Sequence, residues 1–315
     1  MKTVIGIDLG GTSIKYALVD SLGNALFNGV LPSKANESAE KIVEQLKESI
    51  RAVLSFAETE QHVVQGIGIG SPGIIDTQTG TVLGGAENLK GWEQIPLVQI
   101  LSREFDLPIY LDNDANVMGL AEAAFGAAKG CTDVVFLTIG TGIGGGLIID
   151  GKIYGGYLNR GGELGHFPLI ANGEECACGS KGCFEHYASA TALIRRYKAR
   201  LLANGKDVPK EVDGKHIVEC YHQGQAEAIE ALNENCAYIG HAVAGFINIF
   251  SPQKVIIGGG LSDAGPFYLD QIRQAAVRYS MADCAVNTAI EAAVLGNRAG
   301  CLSAAGLVFQ ANSSR

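Results

Sequence analysis

Three cysteines and one histidine in a short stretch of the sequence could hold a metal ion. The cysteines are Cys176, Cys178 and Cys183, in the string CACGSKGC, and His166 lies ten residues before the first of them. Three thiolates and one imidazole make a complete tetrahedral set, which is typical of a closed structural zinc site. The alternative, three buried thiols beside a core histidine, is disfavoured by the tight spacing and the intervening glycines. We therefore predict a structural zinc ion.

Two glutamates flank this segment and could bind hydroxyl groups together with the histidine. Glu163 precedes His166 in the string ELGH, and Glu185 follows the last cysteine of the cluster. If one ring nitrogen of His166 binds zinc, the other is fixed as an N–H donor. Several converging donors and acceptors are typical of polyol recognition, because each missing hydroxyl would leave a buried polar group unpaired.

Two glycine-rich turns could bind a polyphosphate. The first has the string DLGGT and offers Asp8, Gly10, Gly11, Thr12 and, three residues further on, Lys15. Glycines let the backbone approach phosphate oxygens with the N–H groups directed at the anion. Asp8 could orient a hydrated Mg²⁺, which prefers few protein carboxylates and several waters. A tight hairpin without a ligand explains this string equally well.

The second turn makes phosphate binding the better explanation, because an ordinary hairpin needs at most one or two glycines. It reads GTGIGGG over residues 140–146 and offers Gly140, Thr141, Gly142 and Gly144. A third run, Gly258–Gly260, could let an adenine ring or a ribose lie flat on the backbone, although a plain strand-to-helix turn is a fair alternative. Residues 68–73 match G-x-G-x-x-G but open no helix, so they do not predict a dinucleotide site.

The string LDNDAN contains a candidate catalytic base. Asn113 and Asp114 stand where a strand ends and a helix begins, and ligands of α/β proteins bind at such strand ends. An ionised Asp114 could accept the proton of an attacking hydroxyl during phosphoryl transfer, where positioning matters more than basicity. Either residue could instead only cap the helix, and the segment alone does not decide. Asn88, in the string ENLKGW, by itself indicates no more than a turn.

An internal repeat indicates which elements carry these residues. Residues 4–20 and 134–150 each read as an apolar run, a Gly/Thr turn, a second apolar run and an aspartate, 130 positions apart. Two such β-hairpins predict two related α/β domains. Helical spacing of apolar residues predicts a helix from about Asn36, and others over 115–128, 184–202, 225–250 and 297–309. Strands are predicted over 66–70, 108–111 and 254–257.

Composition excludes some classes of function. The chain has a net charge of −9 and no dense cluster of lysine and arginine, so it lacks the cationic surface that nucleic acids require. We expect neither a leader peptide nor a membrane span. Five of the eight cysteines are scattered singly, which is typical of a reduced cytoplasmic protein and not of a disulfide framework.

Taken together, these strings resemble the ROK family (repressors, open reading frames and kinases) over essentially the whole chain. The resemblance implies the actin-like ATPase fold of sugar kinases, with duplicated ribonuclease H-like α/β domains and an interdomain cleft. We expect an N-terminal domain of residues 1–113 plus 298–315 and a C-terminal domain of residues 114–297. The matching strings are the two phosphate turns, Glu163–His166 (E-x-G-H), residues 176–185 (C-x-C-G-x-x-G-C-x-E), Gly258–Gly260 and Asn113-Asp114.

The resemblance also implies roles. Asp114 would be the general base, and zinc would be held by His166 and the three clustered cysteines. Sugar would be bound by Asn88, Asn113, Asp114, Glu163, His166 and Glu185. The implied reaction is transfer of phosphate from ATP with Mg²⁺ to the 6-hydroxyl of a hexose, with glucose, as in bacterial-type glucokinases, the expected sugar.

Alternatives within the family stay open. N-acetylmannosamine, N-acetylglucosamine or another hexose could be the substrate, and polyphosphate could be the donor. A sugar-responsive transcriptional regulator is the remote alternative, and we expect no DNA-binding segment because the first phosphate turn begins within a few residues of Met1. The family habit predicts a homodimer or homotetramer.

Overall fold

The computed structural model describes residues 2–86, 88–296 and 299–313. The strands are β1 (Lys2–Leu9), β2 (Ser13–Asp20), β3 (Ala25–Pro32), β4 (Val63–Ser71), β5 (Ile74–Asp76), β6 (Thr81–Gly84), β7 (Ile109–Asn113), β8 (Val134–Ile139), β9 (Ile143–Ile149), β10 (Lys152–Ile153), β11 (Lys254–Gly258) and β12 (Ala289–Ala292). The helices are α1 (Ala39–Thr59), α2 (Leu97–Leu101), α3 (Asp114–Phe125), α4 (Phe184–Ala188), α5 (Ala190–Ala203), α6 (Gly214–His222), α7 (Ala226–Phe250), α8 (Pro266–Tyr279), α9 (Ala282–Ala285) and α10 (Ala299–Ser313).

The two five-stranded sheets have the same strand order. One runs β3-β2-β1-β4-β7 and the other β10-β9-β8-β11-β12. In the first sheet β1 pairs antiparallel with β2 and parallel with β4, and in the second β11 pairs parallel with both β8 and β12. The two segments of the sequence repeat therefore occupy equivalent positions, β1–β2 and β8–β9, as the repeat predicts.

Contacts divide the chain into two compact units. The first comprises Met1–Gly130, Leu147–Gly162 and Leu295–Arg315, and the second comprises Cys131–Gly146 and Glu163–Val294, so the boundary falls inside β9. The sequence-based division assigned residues 114–130 and 147–162 to the second domain. Residues 114–130 group with the first unit because α3 packs against α10. Residues 147–162 also bond to that unit, since Gln310 Nε2 donates to the Gly151 carbonyl at 3.0 Å and Asn159 Nδ2 to the Ile75 carbonyl at 2.9 Å. The predicted domain boundaries remain a prediction.

Helix α1 illustrates how local sequence specifies an element of the first unit. Ser38 caps its N-terminus and accepts a hydrogen bond from the Lys41 N–H at 3.4 Å. Ile42, Leu46 and Ile50 recur at helical spacing and are fully buried. They join the apolar residues of β1, β2 and β4 in one core cluster, which fixes α1 on one face of the sheet.

Helix α10 covers the opposite face of the same sheet and approaches it very closely. It packs against β1 and β4, where each strand places a glycine under the helix. A Cβ at Gly6 would overlap the carbonyl oxygen of Cys301, and one at Gly68 would overlap that of Ala304. The last helix thus packs on the N-terminal sheet, as predicted, while Asn297 and Arg298 lie outside the described residues.

The predicted elements agree with the structure except at a few boundaries. The helix predicted over residues 184–202 is divided at Ser189 into α4 and α5, because Ser189 has extended backbone and caps α5. Helices α6 and α8 and the β5–β6 hairpin were not predicted. Among the described residues, none of the helices combines the length and apolar character that a bilayer crossing requires.

The close contact between α10 and the sheet generates a stability prediction. Gly68→Ala should lower the free energy of unfolding by about 1–3 kcal/mol, because the added methyl must displace helix backbone. Gly245→Ala in α7 is the control, since no atom of the described residues lies within 4 Å of its Cβ position. It should be neutral or stabilising by roughly 0.5–1 kcal/mol. Urea denaturation of both variants is the measurement, and equal stabilities would contradict the packing argument.

Candidate functional site

The junction of β7 and α3 settles which residue caps the helix. Asn113 is the N-cap, with φ −63° and ψ 144°, and its Oδ1 accepts hydrogen bonds from the N–H groups of Ala115 at 2.9 Å and Asn116 at 3.4 Å. Its Nδ2 donates to the Gly73 carbonyl at 3.0 Å. Asp114 is then the first residue of the helix, and its Oδ1 accepts from the Ala115 N–H at 2.8 Å. Capping therefore does not require Asp114.

A buried network that the sequence analysis missed supports this junction. Asp112 is 5% exposed, and its Oδ1 accepts hydrogen bonds from the Asn113 N–H at 2.7 Å and from Asn116 Nδ2 at 3.0 Å. Burial raises the pKa of the Asp112 carboxyl, against the lowering effect of these bonds. The sequence signal was the string LDNDAN itself, in which Asp112 and Asn116 flank the candidate residues four positions apart.

Two carboxylates of the first unit influence each other. Burial raises the pKa of Asp114, which the hydrogen bond from the Ala115 N–H only partly offsets. Burial also raises the pKa of Asp8, where the Lys15 cation acts to lower it and the Asp114 charge to raise it. Asp8 and Lys15 are directly opposed in the β1–β2 register. From its sequence Asp114 is expected to behave as an ordinary ionised aspartate, whereas its partial burial raises its pKa and makes it a stronger base.

The first glycine turn connects β1 to β2 and lies beside Asn88. The Gly10 N–H donates to the Ser13 carbonyl at 2.9 Å, which closes the turn. A Cβ on Gly11 would come within 2.8 Å of Asn88 Nδ2, so a larger residue at this position would displace the Asn88 amide. Thr12 is exposed at the tip of the turn.

The second glycine turn and the segment around Glu163 and Glu185 form one packed assembly within the second unit. Glu185 Oε2 accepts a hydrogen bond from the Ile143 N–H at 2.7 Å, and a Cβ on Gly142 would overlap the same oxygen. Gly165 lies directly against the Ile143 carbonyl, with no room for a side chain. Glu163 is exposed and directly precedes a short helical turn, Leu164–His166. Its carbonyl accepts the His166 N–H at 3.0 Å.

The third glycine run lies against the strand that leads into the second turn. Gly258 ends β11, beside β8. Gly259 has φ 91°, and a Cβ there would overlap the backbone of Ile139, the last residue of β8. Among the described residues, no atom lies within 4 Å of the Cβ position of Gly260. The run therefore presents bare backbone beside the second turn.

The histidine and three cysteines come together as the spacing predicts. The ligand atoms of His166, Cys176, Cys178 and Cys183 all lie within 4.8 Å of one another. The Sγ atoms of Cys178 and Cys183 are 3.6 Å apart, and Cys176 Sγ is 3.7 Å from His166 Nδ1. Around a tetrahedral zinc ion with Zn–S bonds of about 2.3 Å, such pairs are separated by roughly 3.6–3.8 Å. The donor set therefore fits zinc, with Nδ1 facing the sulfurs and Nε2 left over.

Protein contacts also hold the segment that carries these cysteines. The rings of Phe167, Phe184 and Phe246 contact one another, with centroids 5.2–6.4 Å apart, and Phe246 belongs to α7. The Tyr187 hydroxyl accepts the Glu174 N–H at 2.7 Å. An aromatic cluster therefore anchors this segment in addition to any metal ion.

The candidate residues are divided between the two compact units. The first unit contains Asp8, Gly10, Gly11, Thr12, Lys15, Asn88, Asn113 and Asp114. The second unit contains Gly140, Thr141, Gly142, Gly144, Glu163, His166, Cys176, Cys178, Cys183, Glu185 and Gly258–Gly260. Within each unit the structure brings residues from distant parts of the sequence into direct contact.

Comparison with known proteins agrees with this arrangement. The ROK family profile matches residues 4–311. A glucokinase of Streptomyces coelicolor is 36% identical to the chain over 98% of both proteins. A xylose repressor of Caldicellulosiruptor bescii is 34% identical over 96% of this chain and 77% of the repressor. The crystal structure of a ROK family glucokinase from Streptomyces griseus, in complex with glucose and AMPPNP, matches with a TM-score of 0.80 and 34% identity, covering 98% of this chain and 99% of the other.

The chain therefore belongs to the ROK family. Its mixed α/β architecture is the ROK sugar kinase fold, which belongs to the actin-like ATPase superfamily.

The half-buried carboxylate of Asp114 generates a prediction about stability. Its folded-state pKa is raised, so the folded protein binds more protons than the unfolded chain between the two pKa values, and stability falls as pH rises through that interval. Asp114→Asn should therefore raise the free energy of unfolding at pH 7, and the gain should shrink as pH falls toward roughly 4. Asp106→Asn, at an exposed position, removes the same charge and is the control. A gain that does not depend on pH in urea denaturation would contradict the assignment.

Proposed function

We propose that this chain is an ATP-dependent hexose kinase that phosphorylates the 6-hydroxyl of glucose, with Asp114 as the general base. The glucokinase relatives, 35–36% identical over 97–98% of the chain, support the hexose kinase activity. The observation that carries the assignment of the base is the β7–α3 junction. Asn113 takes the capping role there and leaves a half-buried Asp114 carboxylate, electrostatically coupled to Asp8 of the first glycine turn.

In the proposed reaction, Asp114 accepts the proton of the 6-hydroxyl as that oxygen bonds to the γ-phosphorus of ATP. The bond from the γ-phosphorus to the bridging oxygen breaks, and ADP leaves. Burial raises the pKa of Asp114, which increases its basicity, and a base of raised pKa is more effective near neutral pH. Asn113 and Asp112 hold the backbone of this residue in place through the hydrogen bonds described above. Because the transition state is loose, this positioning contributes more than basicity does.

The glycine turns would bind the nucleotide in this proposal. Backbone N–H groups of residues 10–12 and 140–144 would face the phosphates, with Lys15 as a cation, and Gly258–Gly260 would lie along the adenosine. Asp8 would orient the waters of Mg²⁺. Magnesium bound with ATP would neutralise part of the negative charge on the phosphate oxygens.

The sugar would be bound by Asn88, Asn113, Glu163, His166 and Glu185, along with the base. His166 Nδ1 and the three clustered thiolates would hold zinc, whose contribution would be to fix the orientation of the imidazole ring. Nε2 of His166 would then be an N–H donor for a sugar hydroxyl. Glu185 can accept from a hydroxyl while it holds the Ile143 N–H, because a carboxylate has further lone pairs.

Kinases for N-acetylmannosamine, N-acetylglucosamine or another hexose are the alternative proposal, and a sugar-binding regulator is a more remote one. The N-acetylmannosamine alternative has some support, because a solved structure described as a putative N-acetylmannosamine kinase of Listeria monocytogenes is 25% identical, with a TM-score of 0.81. We also propose a cytoplasmic location, since all eight cysteines are free thiols. The expected homodimer or homotetramer stays a prediction.

Substitution of the proposed base separates binding from turnover. Asp114→Ala should lower kcat by roughly 10²–10⁴-fold, because general base catalysis is lost, while calorimetry should still detect glucose binding. Asp106→Ala is the matched control and should keep normal turnover. Near-normal kcat in Asp114→Ala would end the assignment of the base.

A coupled assay of ADP release would identify the substrate. Glucose should give the highest kcat/KM among glucose, mannose, N-acetylglucosamine and N-acetylmannosamine, with ATP preferred to polyphosphate. Preference for an N-acetylhexosamine would favour the alternative kinase. Sugar binding without turnover of any member of the panel would favour the regulator.

The zinc proposal is tested by metal content. Purified protein should contain one zinc per chain by elemental mass spectrometry, and Cys178→Ser should lose it and show a lower Tm, because an ion that binds only the folded state stabilises that state. Cys131→Ser, outside the cluster, should keep both the metal and the Tm. Full zinc content in Cys178→Ser would contradict the four-ligand site.

A further inference from the structure

The tip of the second glycine turn rests on the beginning of α5. The Ala190 N–H donates to the Gly140 carbonyl at 2.8 Å, and Thr191 Oγ1 donates to the Thr141 carbonyl at 2.7 Å. Two consecutive carbonyl groups of the turn are therefore held by two consecutive residues of one helix. All of these residues belong to the second unit.

These two bonds also determine where the neighbouring N–H groups point. In a trans peptide the C=O and the following N–H are coplanar and point in opposite directions. The bond from Ala190 to the Gly140 carbonyl thus directs the Thr141 N–H away from α5. In the same way, the bond from Thr191 to the Thr141 carbonyl directs the Gly142 N–H away from the helix.

Without the two bonds from α5, the glycines of the turn would let these peptide groups rotate. Gly140 and Gly142 border the two peptide units, and glycine adopts alternative backbone conformations at little cost. Within the described part of the chain, neither the Thr141 N–H nor the Gly142 N–H has an acceptor. Two successive N–H groups that point the same way form a concave site for an anion.

The first residues of α5, which hold the carbonyl groups of the turn, are themselves fixed by hydrogen bonds. Ser189, which is 3% exposed, caps the helix, and its Oγ accepts the Ala192 N–H at 3.2 Å. Its own N–H donates to the Glu185 carbonyl at 3.1 Å. Because Ser189 performs the capping, the Thr191 hydroxyl is available to the glycine turn.

We propose that Thr191 is a positioning residue for ATP: its hydroxyl fixes the Thr141–Gly142 peptide so that the Gly142 N–H faces a phosphate oxygen. This inference rests on the proposed function, because it takes the second turn as a phosphate site. No residue of α5 was a candidate from the sequence, since Thr191 lies fifty positions from the turn that it contacts.

Thr191→Val tests the proposal, since valine keeps the branched shape and removes the donor. Its Kd for Mg²⁺–AMPPNP in calorimetry, and its KM for ATP, should rise roughly three- to tenfold, as expected for one lost hydrogen bond. The KM for glucose and the Tm should not change. Thr191→Ser keeps the hydroxyl and should restore wild-type nucleotide affinity.

Thr59→Val is the matched control, because Thr59 Oγ1 also donates to a backbone carbonyl at an exposed helix position, that of Ser55 at 2.9 Å. It should leave nucleotide affinity unchanged. Unchanged affinity in Thr191→Val, an equal rise in both KM values, or failure of serine to rescue would each overturn the role of Thr191. If the unsubstituted protein bound no Mg²⁺–AMPPNP, the proposed function would fail together with this inference. If it bound the nucleotide and Thr191→Val bound it equally well, only the inference about Thr191 would fail.

Discussion

The cap at Asn113 is the interaction on which the candidate chemistry depends. One amide side chain satisfies two free N–H groups at the start of α3 and also bonds to the Gly73 carbonyl. A helix N-terminus needs such an acceptor, and an aspartate in the first turn would otherwise be suited to provide it. Because Asn113 does so, the Asp114 carboxylate is not needed as the cap, and it accepts a hydrogen bond from the Ala115 N–H.

At this site the burial that makes a carboxylate a stronger base also lowers the stability of the folded protein. Burial raises the pKa values of Asp8, Asp112 and Asp114, three carboxyls of one unit. Each is less favourable when ionised in the folded protein than in the unfolded chain. The glycines beneath α10 act in the other direction, since they allow the helix backbone to lie directly on the sheet. Close packing of this kind stabilises the unit that carries these carboxyls.

Sequence reasoning succeeded where the signal is local. The two glycine turns, the cysteine string and the periodic apolar residues of α1 and α7 are each specified within a few tens of residues, and the structure has them as predicted. The repeat predicted two related α/β domains, and the two sheets share one strand order. The comparisons then established the family that these strings resemble.

What the sequence could not specify are contacts between distant segments. The division at Ser189, the Asp112 network and the contact of Thr191 with the second turn depend on which elements pack together, and no local pattern encodes that. Helices α6 and α8 were missed, although Asp213 and Gly265-Pro266 mark their beginnings. The grouping of α3 with the first unit likewise follows from its packing on α10.

The aromatic anchor of the cysteine segment has a consequence for how a metal would be acquired. Phe167 and Phe184 bracket the segment and dock on Phe246 of α7, and Arg196 lies over the rings of Tyr187 and Tyr238 at 4.9 and 4.7 Å. Apolar packing therefore contributes to the order of this segment alongside any bound ion, so an ion would bear only part of the entropic cost of ordering it. Discrimination among competing ions would be decided by donor chemistry and geometry.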